Sequence, residues 1–188
     1  MSEIRGLTLE EVKNIYYGYM QRDFPRSEIK PWFKIERMYR NGEYCAVGAT
    51  DGEEILGYAF LVERPGVGHM LLDYFAVSES RRGSGIGTEL ISYLKDNADT
   101  DGILVETEDI DVAANEDERI ERDRRDRFYL DRGAVKTAIR SKVFGVDYAI
   151  FNIPIRTETA ESDCRDSLVA LYRYMIPGIN NLLHVKIR

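Results

Sequence analysis

The stretch from His69 to Leu94 constrains the fold most strongly, because it joins a buried strand to a helix through a glycine-rich turn. The run from Met70 to Val77 is mostly apolar and is long enough for a buried strand. Apolar residues then recur at Leu90, Ile91 and Leu94, which is the spacing of one helix face. The turn between the two elements reads Arg82-Gly83-Ser84-Gly85-Ile86-Gly87.

A glycine turn that leads directly into a helix is suited to binding an anion. The first N–H groups of a helix have no partner within the helix, and the helix dipole is positive at that end. Glycine has no Cβ, so a phosphate can approach the backbone closely. The spacing here is G-x-G-x-G, which is neither the P-loop nor the dinucleotide-binding pattern. Taken alone, the three glycines are also compatible with a flexible loop.

The turn and the strand before it together resemble the acyl-CoA signature of the GNAT superfamily of N-acyltransferases. That signature is Arg/Gln-x-x-Gly-x-Gly/Ala, after a strand that ends in a small–aliphatic pair. In this chain Arg82 opens the turn and Ala76-Val77 ends the strand. The resemblance implies an α/β (α+β) fold with a central mixed, mostly antiparallel, seven-stranded sheet flanked by helices. It covers residues 1–154, and residues 155–188 form a C-terminal extension of a helix and a tail.

A second motif agrees with the first. The sequence from Arg127 to Ala134 contains Phe128-Tyr129-x-x-x-Gly133, which resembles the family's aromatic-Tyr-x-x-x-Gly-Phe. Three positions depart from the family pattern. Ala134 stands where Phe is usual, and arginines stand where Asn and Ala are frequent, seven and four residues before the tyrosine. These departures put in doubt the contacts of this helix with the pantetheine arm.

The resemblance implies that the chain binds acetyl-CoA as its cofactor. The glycine turn would hold the pyrophosphate, and the backbone of the preceding strand would pair with pantetheine. The cofactor-binding residues expected on this basis are Phe75, Ala76, Val77, Arg82, Gly83, Ser84, Gly85, Ile86, Gly87 and Thr88. No metal is expected, because the sequence has no cluster with metal-ligand spacing.

Three side chains are candidates for catalysis. The resemblance places Tyr129 beside the cofactor sulfur as a general acid, although it could also be one of the chain's packing tyrosines. Asp73 interrupts the apolar run LLDYFAV, and a carboxylate there needs a partner or a task. Glu106, at the end of the next strand, faces the same cleft in the family. Either acid could relay a proton through water, and a structural hydrogen bond is the competing explanation.

Composition limits the partners and the compartment. The 188-residue chain has a formal net charge of −7, which argues against nucleic acid or an anionic membrane as its main partner. Cys45 and Cys164 are too few for a disulfide framework or a zinc site. We therefore expect a cytoplasmic protein, with no signal peptide and no membrane span. The expected partner is a small-molecule or peptide amine, and the C-terminal extension either covers the domain or forms a homodimer contact.

The remaining elements follow from local signals. Thr8 and Glu11 form a capping box before a first helix, and Asp51-Gly52 predicts a hairpin between strands 43–50 and 55–62. Helices are expected up to Arg40 and over 118–132, where Gly133 ends the second. A last helix around 168–175, ended by Pro177-Gly178, has one apolar face formed by Leu168, Leu171, Tyr172 and Met175. Strands are expected at 4–7, 103–105, 135–144 and 148–153, and a polar linker at 156–162. Phe24 and Trp32 are core aromatics or line a pocket, and both histidines, His69 among them, are surface or structural.

Three functions from different classes fit these observations. The first is an N-acetyltransferase that moves an acetyl group from acetyl-CoA directly to a primary amine, since neither cysteine lies in a nucleophile motif. The second is a non-catalytic acyl-CoA-binding or regulatory module with the same fold. The third is an unrelated phosphate-binding α/β protein, which the strand-rich N-terminal half fits poorly. The identity of the acceptor amine is not encoded in any recognisable motif.

Overall fold

The computed structural model describes residues 2–156 and 159–188, and this part of the chain holds eight strands and seven helices. The strands are β1 Glu3–Gly6, β2 Tyr44–Asp51, β3 Glu54–Val62, β4 His69–Val77, β5 Gly102–Glu108, β6 Val135–Val143, β7 Val146–Pro154 and β8 Val185–Ile187. The helices are α1 Leu9–Gly18, α2 Met20–Asp23, α3 Trp32–Arg40, α4 Ile86–Asn97, α5 Glu116–Leu130, α6 Glu161–Met175 and α7 Ile179–His184. None of the described helices is both long enough and apolar enough to span a membrane.

The chain divides into two compact units, and β4 contributes to both. The first unit comprises Met1–Glu63 and Asp73–Asn97, and its strands follow the order β1-β2-β3-β4. The second comprises Arg64–Leu72 and Ala98–Arg188, with the order β4-β5-β7-β6-β8. Because β4 belongs to both orders, all eight strands form one mixed sheet. The expected mixed, mostly antiparallel GNAT-like fold is confirmed.

The first unit begins with two antiparallel ladders. β1 pairs with β2, and β2 pairs with β3 through the hairpin expected at Asp51-Gly52. Gly52 has φ +61°, the left-handed conformation that such a turn requires. The capping box before α1 is present, because Thr8 accepts from the Glu11 N–H and Glu11 accepts from the Thr8 N–H.

Helix α4 packs on the sheet of the first unit through the apolar face that its sequence predicts. Leu90, Ile91 and Leu94 are all buried. Gly57 on β3 makes this close approach feasible, because a Cβ there would lie 3.1 Å from the Ile86 side chain and 3.2 Å from Leu90. The strand that precedes the glycine turn and the helix that follows it are thus fixed by the same core.

The second unit contains a parallel pair of strands, followed by antiparallel pairs. β4 pairs with β5 from His69↔Gly102 to Leu72↔Val105. β5 and β6 then each pair antiparallel with β7. The strand-forming stretches expected here are confirmed, with each end within three residues of the expected one. Helix α5 begins two residues earlier than expected, since the Asn115 side chain accepts from the Glu118 N–H and caps it.

The C-terminal extension adds a strand that the sequence did not reveal. Helix α6 buries Leu168, Leu171, Tyr172 and Met175, the face expected for it. The tail then forms β8, which pairs antiparallel with β6 from Ser141↔Ile187 to Val143↔Val185. The expected number of seven strands was therefore one too low, because three residues are too few to show a strand's alternation.

The sequence also predicted a linker before α6 and a domain boundary at residue 154. Of the polar linker expected at 156–162, residues 157 and 158 lie outside the described part, and α6 already begins at Glu161. The division at residue 154 into a catalytic domain and an extension stays a prediction.

His69 lies at the start of β4, where it is 1% exposed and links this strand to the extension. Its Nδ1 lies 2.9 Å from the Ser167 hydroxyl of α6, and its Nε2 lies 3.1 Å from the Thr159 hydroxyl. The structural role expected for His69 is confirmed, and a surface position is wrong. Burial lowers the pKa of the imidazole, against the raising effect of the Asp101 and Asp163 carboxylates.

We expect His69 to make the stability of the protein fall in mild acid. Its pKa in the folded state lies below the value of about 6.5 for an unfolded histidine. The stabilisation is therefore present above about pH 6.5 and is lost as the pH falls through the folded-state pKa. Urea unfolding of wild type and His69→Gln between about pH 5 and about pH 8 should show a steeper loss in wild type. Identical slopes for wild type and His69→Gln would contradict the prediction.

Candidate active site

The glycine turn has the backbone conformation of an anion cradle. Gly83 and Gly85 have φ +78° and +96°, values that residues with a side chain rarely adopt. A Cβ built on either glycine would meet no atom within 4 Å, so the backbone faces open space. Helix α4 begins immediately afterwards, at Ile86.

The turn also presents N–H groups that have no backbone acceptor among the described residues. The Thr88 and Glu89 N–H groups both donate to the Gly85 carbonyl, which closes the first turn of α4. Among the described residues, the N–H groups of Gly85, Ile86 and Gly87 have no backbone acceptor. Three such donors at a helix N-terminus fit a phosphate group. The residues present therefore fit the pyrophosphate of a nucleotide cofactor.

The strand before the turn is only partly covered. Phe75, Ala76 and Val77 are of intermediate exposure, whereas Met70, Leu71 and Leu72 are buried. Directly after the strand, Ser78 is anchored to β3, because its N–H and its hydroxyl donate to the Leu56 and Ile55 carbonyls. The last residues of β4 are thus held in place without being fully buried.

Asp73 is a nearly buried carboxylate with two partners in the first unit. Its side chain is 7% exposed, and its Oδ1 accepts from the Lys30 ammonium at 2.5 Å. Its Oδ2 accepts from the Tyr44 hydroxyl at 2.6 Å. The sequence marked Asp73 as needing a partner or a task, but it contained no signal for Lys30, which lies 43 residues away.

The neighbouring Tyr74 fastens the segment between α2 and α3 to β4. Its hydroxyl accepts from the Lys30 N–H and donates to the Glu28 carbonyl, both at 2.8 Å. Phe24 packs edge-on against its ring, with centroids 5.1 Å apart. Trp32 instead packs against Tyr16 and Tyr17 on α1. Both aromatics that were expected as core or pocket residues therefore pack against other rings.

Glu106 lies on β5 in the second unit and accepts hydrogen bonds from two hydroxyls. Ser141 of β6 donates to Oε1 at 2.8 Å, and Tyr172 of α6 donates to Oε2 at 2.5 Å. Tyr172 comes from the C-terminal extension, beyond the stretch that carried the resemblance. Sequence reasoning identified Tyr172 only as part of a buried helix face and missed this contact.

Tyr129 lies in the last turn of α5 and is 6% exposed. Its ring packs edge-on against Phe128, at 5.1 Å between centroids. Its carbonyl accepts from the Arg132 and Ala134 N–H groups, which closes the helix before Gly133 at φ +87°. Burial raises the pKa of its phenol, so the hydroxyl keeps its proton at neutral pH.

The two arginines of α5 that depart from the family pattern, Arg122 and Arg125, both contact other residues of the second unit. Arg122 donates to the Asp109 carbonyl at 2.6 Å and lies 3.3 Å from the Glu108 carboxylate. Arg125 forms an ion pair with Glu121 one turn earlier. The first of these arginines is therefore held in place by the second unit.

The site assignments themselves stay predictions. The structure brings Asp73 together with Lys30 and Tyr44, and Glu106 together with Ser141 and Tyr172. The residues predicted to bind the cofactor, 75–77 and 82–88, lie in the first unit, as does Asp73. Tyr129 and Glu106 lie in the second unit.

Comparison with known families decides the class of this protein. Residues 9–120, more than half of the chain, match the family described as the acetyltransferase (GNAT) family. The chain belongs to the GNAT family of acetyltransferases. No curated protein sequence matches it. The expectation of an acetyltransferase is confirmed, and so, at the level of the family, is that of acetyl-CoA as the cofactor.

Solved structures of other GNAT proteins share the fold. A GNAT-family protein from Bacteroides thetaiotaomicron is 16% identical, with a TM-score of 0.71 over 91% of this chain and 96% of that chain. An aminoglycoside 6'-N-acetyltransferase complexed with coenzyme A is 17% identical, with a TM-score of 0.60 over 84% and 99%. The ribosomal-protein-S18-alanine N-acetyltransferase from Escherichia coli is 19% identical, with a TM-score of 0.55 over 86% and 98%. At these identities the likeness shows the fold alone.

We expect Gly85→Val to abolish acetyl-CoA binding while the GNAT domain stays folded. The new side chain would enter the open space above the turn, and its Cβ disfavours φ +96°. Gly52→Val is the matched control, because Gly52 also has a positive φ and open surroundings but lies in the β2–β3 hairpin. Calorimetric titration with acetyl-CoA should show loss of affinity in Gly85→Val only. Equal affinity in the two folded variants would remove the basis for the cradle.

Proposed function

We propose that this GNAT protein transfers the acetyl group of acetyl-CoA directly to a primary amine. The observation that supports this most strongly is the turn at 82–88, where glycines with positive φ and N–H groups without a backbone acceptor precede α4. In the proposal this turn binds the pyrophosphate, through the backbone of Gly83, Gly85, Ile86 and Gly87 and the side chains of Arg82, Ser84 and Thr88. The backbone of Phe75–Val77 pairs with the pantetheine arm. The β4–β5 ladder ends at Leu72↔Val105, before Phe75. The absence of β5 pairing at Phe75–Val77 in this ladder supports the proposed pairing with pantetheine.

The reaction forms one bond and breaks one. The neutral amine nitrogen attacks the thioester carbon, the C–N bond forms, and the C–S bond breaks to release coenzyme A. The amine must first lose a proton to a base, and the departing thiolate gains a proton or a hydrogen bond. A base, a carbonyl-polarising N–H and an acid are therefore the groups that the chain must supply.

Direct transfer is favoured over an acyl-enzyme, because neither cysteine is suited to act as a nucleophile. Burial, aided by the nearby Glu63 carboxylate, raises the pKa of the Cys45 thiol to about 11. Burial also raises the pKa of Cys164, which is 1% exposed. A catalytic cysteine needs a lowered pKa and access to substrate.

The proposed base is Asp73 or Glu106. Asp73 lies on β4, two residues before the proposed pantetheine-binding backbone, and it already binds one ammonium. Glu106 is oriented by two hydroxyl donors. Both arrangements are compatible with a role as catalytic base and also with a purely structural hydrogen bond.

Tyr129 is the proposed partner of the departing sulfur. Its raised pKa keeps the proton on the phenol at the start of the reaction. A thiol has a pKa of about 8.5, below that of any unperturbed tyrosine, so full transfer of the phenol proton to the thiolate is uphill. We therefore expect Tyr129 to stabilise the thiolate mainly by donating a hydrogen bond, with water completing the protonation.

The acceptor is a small-molecule or peptide amine. Among the structural relatives, one acts on aminoglycosides and another on the alanine of ribosomal protein S18. The alternative function is a non-catalytic acetyl-CoA-binding module. The observation behind that alternative is Arg122, which stands where the family often has Asn and is held by Asp109 and Glu108.

The central experiment combines a binding titration with an acceptor screen. Acetyl-CoA bound to the native state should raise the melting temperature in proportion to the logarithm of its concentration. Release of free coenzyme A is then followed with panels of polyamines, aminoglycosides and peptides with free N-termini. Binding together with amine-dependent release supports the enzyme. Binding without release for any amine favours the module, and absence of binding contradicts both.

We expect Tyr129→Phe to lower kcat and to leave the affinity for acetyl-CoA nearly unchanged. The substitution removes one hydroxyl and keeps the ring, so the packing against Phe128 is retained. Because a thiolate is already a fair leaving group, the loss should be about a hundredfold or less. Tyr148→Phe, which removes a hydroxyl from β7 in the same unit, is the control. Single-turnover rates that are equal in wild type and Tyr129→Phe would make Tyr129 a packing residue.

A further inference from the structure

We propose that Tyr172 of the C-terminal extension is a positioning residue of the active site, and that its hydroxyl orients the Glu106 carboxylate as the base that receives the proton of the acceptor amine. The proposal rests on the proposed acetyltransferase function and chooses Glu106 from its two candidate bases. Glu106, Tyr172 and the second donor, Ser141, all belong to the second unit.

The Glu106 carboxylate is held by one hydroxyl on each of its oxygens. Ser141 donates to Oε1 at 2.8 Å, and Tyr172 donates to Oε2 at 2.5 Å. The two donors come from different elements, β6 and α6, so together they fix both the place and the plane of the carboxylate. Hydrogen bonds from a hydroxyl to an ionised carboxylate are short and strong, so this orientation is well defined.

Exposure sets Glu106 apart from Asp126, an acid of the same unit that also accepts from a hydroxyl. Asp126 is 6% exposed, accepts from Thr107 and lies 3.1 Å from the Lys136 ammonium. Glu106, in contrast, is half-buried, whereas its two donors are only 3% and 6% exposed. The donors therefore hold the carboxylate from the interior and leave Glu106 partly open to water, which can carry a proton to it.

Glu106 occupies the position on β5 at which the parallel pair ends. The ladder with β4 ends at Leu72↔Val105, and Glu106 is the next residue of β5. On the other side β5 continues to pair with β7, where Glu106 lies opposite Ile150. The backbone of Glu106 is thus fixed by one neighbouring strand and is past the end of its ladder with the other. In the proposed function the acetyl donor binds β4 beyond the end of this same ladder.

Helix α6 gives the Tyr172 hydroxyl a fixed position. Leu168 and Leu171 of this helix are fully buried, and the Ser167 hydroxyl lies 2.9 Å from Nδ1 of His69 on β4. A group that orients a base must itself be held by packing and hydrogen bonds, as Tyr172 is here. Because α6 lies beyond residues 9–120, which match the family, the extension supplies a group that the matched stretch does not contain.

Tyr172→Phe removes the donor and keeps the ring. Single-turnover release of coenzyme A is followed between about pH 5 and about pH 9 with the amine that reacts fastest in the panel of polyamines, aminoglycosides and peptides. On the plateau the rate should fall about tenfold, because the carboxylate is less well oriented. Loss of a donor also favours the protonated carboxylic acid, so the acid limb of the profile should move to higher pH by about one unit.

Tyr174→Phe is the matched control, because it removes a hydroxyl from the same helix. The Tyr174 ring packs against the Arg64 guanidinium at 4.4 Å, and this variant should keep the wild-type rate and acid limb. The charged pair next along β5, Glu108 with Arg122, is present in every variant, so a shifted limb is assigned to Glu106. A Tyr172→Phe protein with a lowered melting temperature but a wild-type profile would make the contact purely structural and overturn the proposal.

A double-mutant cycle shows whether Tyr172 acts through Glu106. Glu106→Gln keeps the shape of the side chain but cannot take up the proton, and the rate should fall about a hundredfold or more. Adding Tyr172→Phe to Glu106→Gln should then cost nothing further, because the group that Tyr172 orients is already inactive. The same tenfold loss in both backgrounds, or a wild-type rate for Glu106→Gln, would overturn the proposal.

Failure of the acetyltransferase function gives a different result. In that case no amine of the panel causes release of coenzyme A by the wild-type protein, which removes the function and the role of Tyr172 together. Failure of the present proposal alone leaves the wild-type protein active and Tyr172→Phe equal to it.

Discussion

The parallel pairing of β4 with β5 is the constraint from which the rest of the structure follows. Parallel neighbours cannot be joined by a tight turn, so the chain must leave β4, cross over and return. The crossover contains the glycine turn and α4, whose N-terminus consequently follows the carboxyl end of a sheet strand. The ladder covers only His69–Leu72, and the five residues after it belong to the first unit. Asp73 is therefore the first residue beyond the ladder, followed by the backbone proposed to bind the cofactor.

The carboxylate of Asp73 is nearly buried, so its charge must be balanced by nearby groups. In the described residues, Asp73 accepts hydrogen bonds from Tyr44 of β2 and from Lys30 of the segment before α3, both in the first unit. Tyr74 fixes that segment through two backbone groups, so the Lys30 backbone is anchored while its side chain extends to the acid.

Local signals in the sequence were sufficient for most of the fold. The capping box at Thr8, the hairpin at Gly52 and the glycine stop at Gly133 each depend on residues close in sequence, and all are present. Contacts between distant residues were not predictable. Lys30 meets Asp73 across 43 residues, Tyr172 meets Glu106 across 66, and His69 meets Ser167 across 98. The strand at Val185–Ile187 was missed for the same reason, since only the edge of β6 makes it a strand.

The surroundings of the two acids suggest a division of their tasks. Protonation of Asp73 would remove the charge that holds the Lys30 ammonium in a nearly buried position, so proton transfer to this residue would break its ion pair. Glu106 accepts from the hydroxyls of Ser141 and Tyr172, and a hydroxyl can either donate or accept. A protonated Glu106 could therefore keep a hydrogen bond to each of them by reversing one. On this reasoning we propose that Glu106 is the more suitable of the two acids to receive a proton.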